Sequence, residues 1–96
     1  MMVLITYDVS TTTATGQRRL RKVAKLCEDY GQRVQCSVFE CLLEPHQFVH
    51  LRQALEATID TETDSLRFYH LGSKWRGKIE HIGAKQTYDP EGFIII

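Results

Sequence analysis

The sequence predicts an α/β fold, a single sheet with helices packed on one of its faces. Three observations carry this. Val3 to Val9 is a run dominated by β-branched and aromatic residues, the pattern of a strand. Two later segments, one ending at Tyr30 and one opening at Pro45, repeat apolar residues at helical spacing. The 96 residues make one domain, 1–96, large enough for one sheet and one helical layer and little more.

In the first strand Val3, Ile5, Tyr7 and Val9 alternate onto one face and Leu4, Thr6 and Asp8 onto the other. The second face is not plainly polar, so it too is expected to find cover. Ser10 to Thr15 is rich in hydroxyls that can cap a helix. That helix is predicted from about Gly16 to Tyr30, with Leu20, Val23, Ala24, Cys27 and Tyr30 as its buried stripe. Gly31 stands where a C-terminal cap belongs.

Arg33 to Leu43 is strand-like throughout and has no internal Gly or Pro, so propensity reads it as one long strand kinked near Cys36 and Ser37. Pro45 suits the first position of a second helix, whose stripe is Phe48, Leu51, Leu55, Thr58 and Ile59. Asp60 to Asp64 is polar and closes it. Leu66 to Leu71 is a strand, with Leu66 and Phe68 facing one way and Tyr69 and Leu71 the other. Gly72 to Gly77 is a basic loop containing Trp75, Lys78 to Ala84 a short further strand, and Asp89 to Gly92 a turn.

The sequence ends on Phe93, Ile94, Ile95 and Ile96, which are costly to leave in water. Residues 85–96 are therefore expected to add a strand to a sheet edge, in the same chain or in a partner. If the region from Arg33 to Leu43 folds back as a hairpin, the order is βαββαβ. That is the ferredoxin-like sandwich, two helices on one face of an antiparallel sheet, here with an extra C-terminal strand. The other face is then open to a partner or ligand, and a two-fold homodimer is the simplest cover.

Hydrophobic residues at 43% and charged residues at 25% exclude a disordered chain. A formal net charge of zero means that any nucleic-acid binding must come from uneven placement of charge. Cys27, Cys36 and Cys41 are odd in number and lack a C-x-x-C spacing, so they form neither a disulfide framework nor a paired zinc site. Free thiols fit a reducing cytosol. No basic leader is apparent, and no segment reaches the roughly 20 apolar residues of a membrane helix. The expectation is a cytoplasmic protein with no membrane role.

Asp8 is the only acid of the first strand and lies near its C-terminal end. Such a residue commonly starts an Asx turn. It can also hold a hard cation, since Mg²⁺ takes one or two carboxylates and keeps several waters. One Asp per chain suffices if a two-fold axis brings two together. Arg18, Arg19, Arg21, Lys22 and Lys25 crowd the first half of the first helix. A solvated face accounts for their charge but not for their position. Cations near a helix N-terminus oppose its dipole by about 0.3–1 kcal/mol each. Phosphates bound there remove the conflict. Arg33 can reach phosphate, while Phe39 by residue type is core. His46 and His50 lie four apart on the second helix without the rest of an H-E-x-x-H pattern and read as surface residues.

Three segments resemble a known family. Leu4 to Val9 looks like its first strand, with its metal-linked Asp. Arg33-Val34-Gln35-Cys36-Ser37-Val38-Phe39-Glu40 is similar to its R-x-Q-x-S-V-F-E signature, and Leu66 to Tyr69 to a later strand. The family is the second of the two core CRISPR adaptation proteins, the small dimeric partner of the spacer integrase. The resemblance covers nearly the whole chain in order.

It implies the ferredoxin-like fold, a tight turn at Cys36-Ser37, and a homodimer packed sheet against sheet, with each C-terminal strand added to the partner's sheet. It also implies Mg²⁺ shared by two copies of Asp8, and metal-dependent endonuclease activity on single-stranded RNA or double-stranded DNA. Members also bridge integrase dimers on DNA. By the same resemblance Asp8 is the metal ligand, and Asp8, Tyr7, Arg33 and Phe39 are tied to catalysis. Arg18, Arg19, Arg21, Lys22 and Arg33 face nucleic acid, with Arg19 and Arg21 matching the family's basic pair. Ser and Thr stand where many members carry acids after the first-strand Asp, so Asp8 is the sole evident ligand. Two rivals need no catalysis, a dimeric scaffold on duplex DNA and a regulatory module that binds a small molecule.

Overall fold

Strand β1, Met2–Asp8, lies at the centre of the sheet. Helix α1 follows over Ala14–Tyr30, then β2 over Gln32–Gln35 and β3 over Val38–Leu42. Helix α2 spans Pro45–Thr58, β4 Ser65–Leu71 and β5 Ile79–Gly83. The structure, a computed structural model, describes residues 1–71 and 79–84. Trp75, the Asp89–Gly92 turn and the expected strand in residues 85–96 lie outside the described residues.

The sheet order is β2-β3-β1-β4-β5, and every neighbouring pair is antiparallel. β1 and β2 run the same way with β3 between them, which is the split βαβ of the ferredoxin-like fold. β5 is the short further strand that the pattern of Lys78 to Ala84 predicts, and it extends the sheet at β4. Val3, Ile5, Tyr7 and Val9 face the helices and are buried with Phe39, Cys41, Leu66 and Phe68 of the neighbouring strands. Val23 and Cys27 of α1 and Phe48, Leu51 and Leu55 of α2 close over them. Each such side chain contributes about 1.5–3 kcal/mol on leaving water.

The segment from Arg33 to Leu43 is two strands, not one. The chain turns at Cys36 and Ser37, which offer neither Gly, Pro nor Asn to announce it. The turn is closed by an arginine of its own hairpin and by the end of β1. Arg33 Nη1 and the Tyr7 hydroxyl both donate to the Cys36 carbonyl, at 2.6 and 3.3 Å, and the Tyr7 N–H donates to the Ser37 carbonyl at 3.2 Å. Gly31 also departs from expectation. Its φ of −160° is extended rather than left-handed. Glycine is needed there for closeness, since a Cβ would lie 2.4 Å from both Cys41 Sγ and the Glu40 carbonyl oxygen.

Helix α1 begins at Ala14, earlier than the periodicity predicts, because Thr13 Oγ1 accepts the Gly16 N–H at 3.1 Å. Pro45 opens α2 as expected, and Gln47 Oε1 accepts the Glu44 N–H at 2.8 Å. On the sheet face away from the helices Leu4 and Tyr69 are buried, whereas Leu42 and Leu71 are 73% and 47% exposed. Met2 stands between those two in register.

Candidate active end and nucleic-acid interface

Up-and-down connectivity puts six segments at one end of the sandwich. β1 ends there, α1 begins, the β2–β3 turn closes, α2 ends, β4 begins and β5 ends. Asp8 is the last residue of β1, paired with Ser65 and exposed on the face away from the helices. Arg67, the partner of Thr6, shares that face. Arg67 Nε donates to His81 Nδ1 at 2.9 Å, so the imidazole carries its proton on Nε2, which donates to the Gly83 carbonyl at 3.3 Å. Burial, and then the charge of Arg67, hold the imidazole pKa below its ordinary value.

Tyr7, Arg33 and Phe39 do come together, but behind β1 rather than beside Asp8. The Tyr7 and Phe39 rings stack with centroids 6.1 Å apart and 22° between planes. The Arg33 guanidinium lies over Phe39, and its Nη2 pairs with Glu28 Oε2 at 3.2 Å. Burial, the largest cause, raises the phenol of Tyr7. Phe39 has no exposed surface. In this arrangement Tyr7 and Phe39 support the end of β1, and their side chains are out of reach of a substrate on the open face.

The basic residues divide. Arg18, Arg21 and Lys22 are exposed. With Thr15, Arg19 and Lys25 they line an open cleft of about 820 Å³ whose other wall includes Ala57 and Thr58 of α2. Residues three and four apart share a helix face, which aligns Arg18, Arg21, Lys22 and Lys25 along the cleft. The carbonyl end of α2 lies in the same place and carries negative partial charge. That offsets part of the dipole conflict that α1 alone presents. Lys25 pairs with Asp29 at 2.9 Å.

Arg19 departs from its neighbours. Its Nε and Nη2 donate to Asp64 Oδ2 and Oδ1 at 2.8 and 3.4 Å, so two of its donors are engaged within the chain. Nothing in the sequence singles out Asp64, which reads there as the end of a polar connection. It is completely buried. Its carboxylate also accepts the Ser10 and Asp60 N–H groups, each at 2.9 Å, and the Thr63 hydroxyl at 3.1 Å. Burial alone would raise its pKa, but Arg19 and then the two N–H donors outweigh it and hold the group below the usual carboxylate range. Its carbonyl accepts the Ala84 N–H at 3.0 Å, and Gly83, at φ +121°, packs against it where a Cβ would come within 2.0 Å.

His46 and His50 are exposed on α2. Among the described residues no three His, Cys, Asp or Glu side chains gather as a metal site. Among them, too, no helix is long and apolar enough to cross a membrane.

The family model described as CRISPR associated protein Cas2 matches residues 1–79. The chain belongs to the Cas2 family. A protein of Nitratidesulfovibrio vulgaris named CRISPR-associated endoribonuclease Cas2 is 58% identical over 96 residues, covering all of this chain and 94% of the relative. A Halalkalibacterium halodurans protein named CRISPR-associated endonuclease Cas2 is 55% identical, covering 99% of each. The crystal structure of Streptococcus pyogenes Cas2 at pH 6.5 superposes with a TM-score of 0.70 at 58% identity, covering 86% of this chain and 100% of that one. These Cas2 relatives span essentially the same length as the chain.

Proposed function

We propose that this Cas2-family chain acts in CRISPR adaptation as a homodimeric, Mg²⁺-dependent endonuclease on single-stranded RNA or double-stranded DNA, and that it binds DNA beside the spacer integrase. Its relatives' names, endoribonuclease and endonuclease, support phosphodiester cleavage. The observation that carries the site is Asp8, a carboxylate exposed at the end of β1 on the open sheet face. A carboxylate exposed to solvent fits a hard cation that keeps most of its water. Asp8 would hold Mg²⁺ with its counterpart in a second copy, and the bound ion would polarise a phosphoryl oxygen and acidify a water.

The chain's own residues do the rest. Tyr7 and Arg33 close the Cys36-Ser37 turn against the end of β1, and the Phe39 ring stacks on Tyr7 and lies under Arg33. Arg18, Arg21 and Lys22 offer their charge to phosphates. The exposed Leu42 and Leu71, in register on either side of Met2, favour a second copy on the open face. Residues 85–96 are proposed to extend that copy's sheet.

A second reading, the non-catalytic scaffold, is favoured by one observation. The basic cleft belongs to the helical layer, while Asp8 lies on the opposite face of the sheet. A duplex gripped by α1 then runs clear of Asp8 in the same chain, and the dimer sets the spacing of two integrase dimers. Cleavage of labelled single-stranded RNA and duplex DNA by wild type and Asp8→Ala, with and without Mg²⁺, tests the nuclease. It stands if wild type cuts, EDTA stops the reaction and Asp8→Ala binds duplex without cutting. Equal cutting by both proteins, or none by either while both bind, favours the scaffold.

A further inference from the structure

Asp64 joins three elements through one buried carboxylate. Its Oδ1 accepts the N–H of Ser10, two residues past Asp8 and 54 residues away in sequence. Its Oδ2 takes Arg19 Nε from α1 and the Asp60 N–H from the connection after α2. The residue that follows, Ser65, is the cross-strand partner of Asp8. Asp8 is thus bracketed by two attachments to the same short segment, one through its strand pairing and one through the Ser10 N–H. Arg19 lies in the second turn of α1, so its two bonds to the carboxylate fix the start of the helix in place and rotation.

We propose that Asp64 is a positioning residue for cleavage, holding the Asp8 end of β1 and the first turns of α1 in fixed relation, with Arg19 working through Asp64 rather than by gripping phosphate. The inference rests on the reading of Asp8 given above. Only a carboxylate meets the demand. Both oxygens accept at least two donors each, and an asparagine in either flip turns an NH₂ group toward N–H donors. Misplacement of a reacting group by about 1 Å costs up to roughly 100-fold in rate.

The test compares wild type, Asp64→Asn, Arg19→Gln, the double variant and Asp8→Asn in Mg²⁺-dependent cleavage of single-stranded RNA. The temperature is one at which circular dichroism shows each protein folded. Asp64→Asn and Arg19→Gln should each lower kcat by about 10- to 100-fold, with KM within about twofold. The double variant should be no slower than Asp64→Asn, because both changes break one unit. Should Asp64→Asn not fold, Arg19→Gln decides alone by the same kcat and KM criteria. Wild-type kcat, a loss confined to KM, or singles that multiply in the double overturns the inference. If Asp8→Asn is inactive and Asp64→Asn is unaffected, only the Asp64 inference falls. If Asp8→Asn cuts like wild type, the Asp8 reading falls and takes this one with it.

Discussion

The Arg33 guanidinium carbon sits 4.9 Å from the centroid of the Phe39 ring, its cross-strand partner on β3. The pair joins a residue with no exposed surface to one that reaches solvent. Such a pairing at a half-open site is worth about 0.5–1 kcal/mol. Removing the ring is a different matter, since it opens a cavity under Tyr7. Phe39→Ala should cost about 3–5 kcal/mol, lowering Tm by more than about 10 °C in a domain this small. Calorimetry checks it. A Tm within a few degrees of wild type would show that the ring is not the keystone its burial implies, and any loss of cleavage would then need a direct role for Phe39.

The two arginines that match the family's basic pair should behave differently. Both line the cleft, but Arg21 is exposed there, whereas Arg19 is half-buried and tied to Asp64. Removing one cation that neutralises a phosphate reduces the slope of log K against log salt by about 0.9 for duplex DNA. Arg21→Gln and Lys22→Gln should each show a reduction of that order. Arg19→Gln should leave the slope near that of wild type. Duplex titrations at several salt concentrations read all three, and an equal drop for Arg19→Gln would return that residue to the phosphate-binding set.

Arg19 also shows where sequence reasoning runs short. The stripe of α1, the strand faces of β1 and β4, Pro45 at the start of α2 and the place of Asp8 at the end of β1 all follow from local pattern, because each depends on neighbours within a few residues. The β2–β3 turn does not, because Arg33 supplies only part of its closure and the rest comes from Tyr7, about thirty positions upstream of Cys36. Gly31 has a spacing cause that appears only when β3 packs beside it. Asp64 sits in a polar stretch that any surface loop resembles, and its burial depends on Ser10 and Arg19 arriving from the other half of the chain.

His81 gives a pH dependence whose sign can be worked out. Burial, and then Arg67, lower its pKa below the ordinary value of about 6.5. The unfolded chain therefore binds a proton there before the folded chain does. Its contribution to stability is full above about pH 6.5 and falls as pH drops from there toward the folded pKa. Asp64 acts lower down. Its folded pKa is also lowered, so its contribution holds above the unfolded carboxylate value near 3.9 and is lost as pH falls through the folded one. Urea midpoints from about pH 8 to 5 should decline for wild type and be flatter for His81→Gln. A wild-type midpoint that rises as pH falls across that range would reverse the assignment.

The three cysteines should differ sharply in reactivity. Burial pushes the Cys27 thiol up to about 12 and the Cys41 thiol up to about 11, and both pack inside the core against the sheet. The thiolate is the nucleophile, so at pH 8 either group is both shielded and almost wholly protonated. Cys36 is exposed in the β2–β3 turn. An aromatic disulfide reagent should modify one thiol per folded chain quickly, and Cys36→Ser should abolish that phase. In guanidinium all three should react. Rapid modification of two or three thiols in the folded protein would mean that the α1–β3 seam opens on the timescale of the reaction, which the packing of Gly31 against Cys41 argues against.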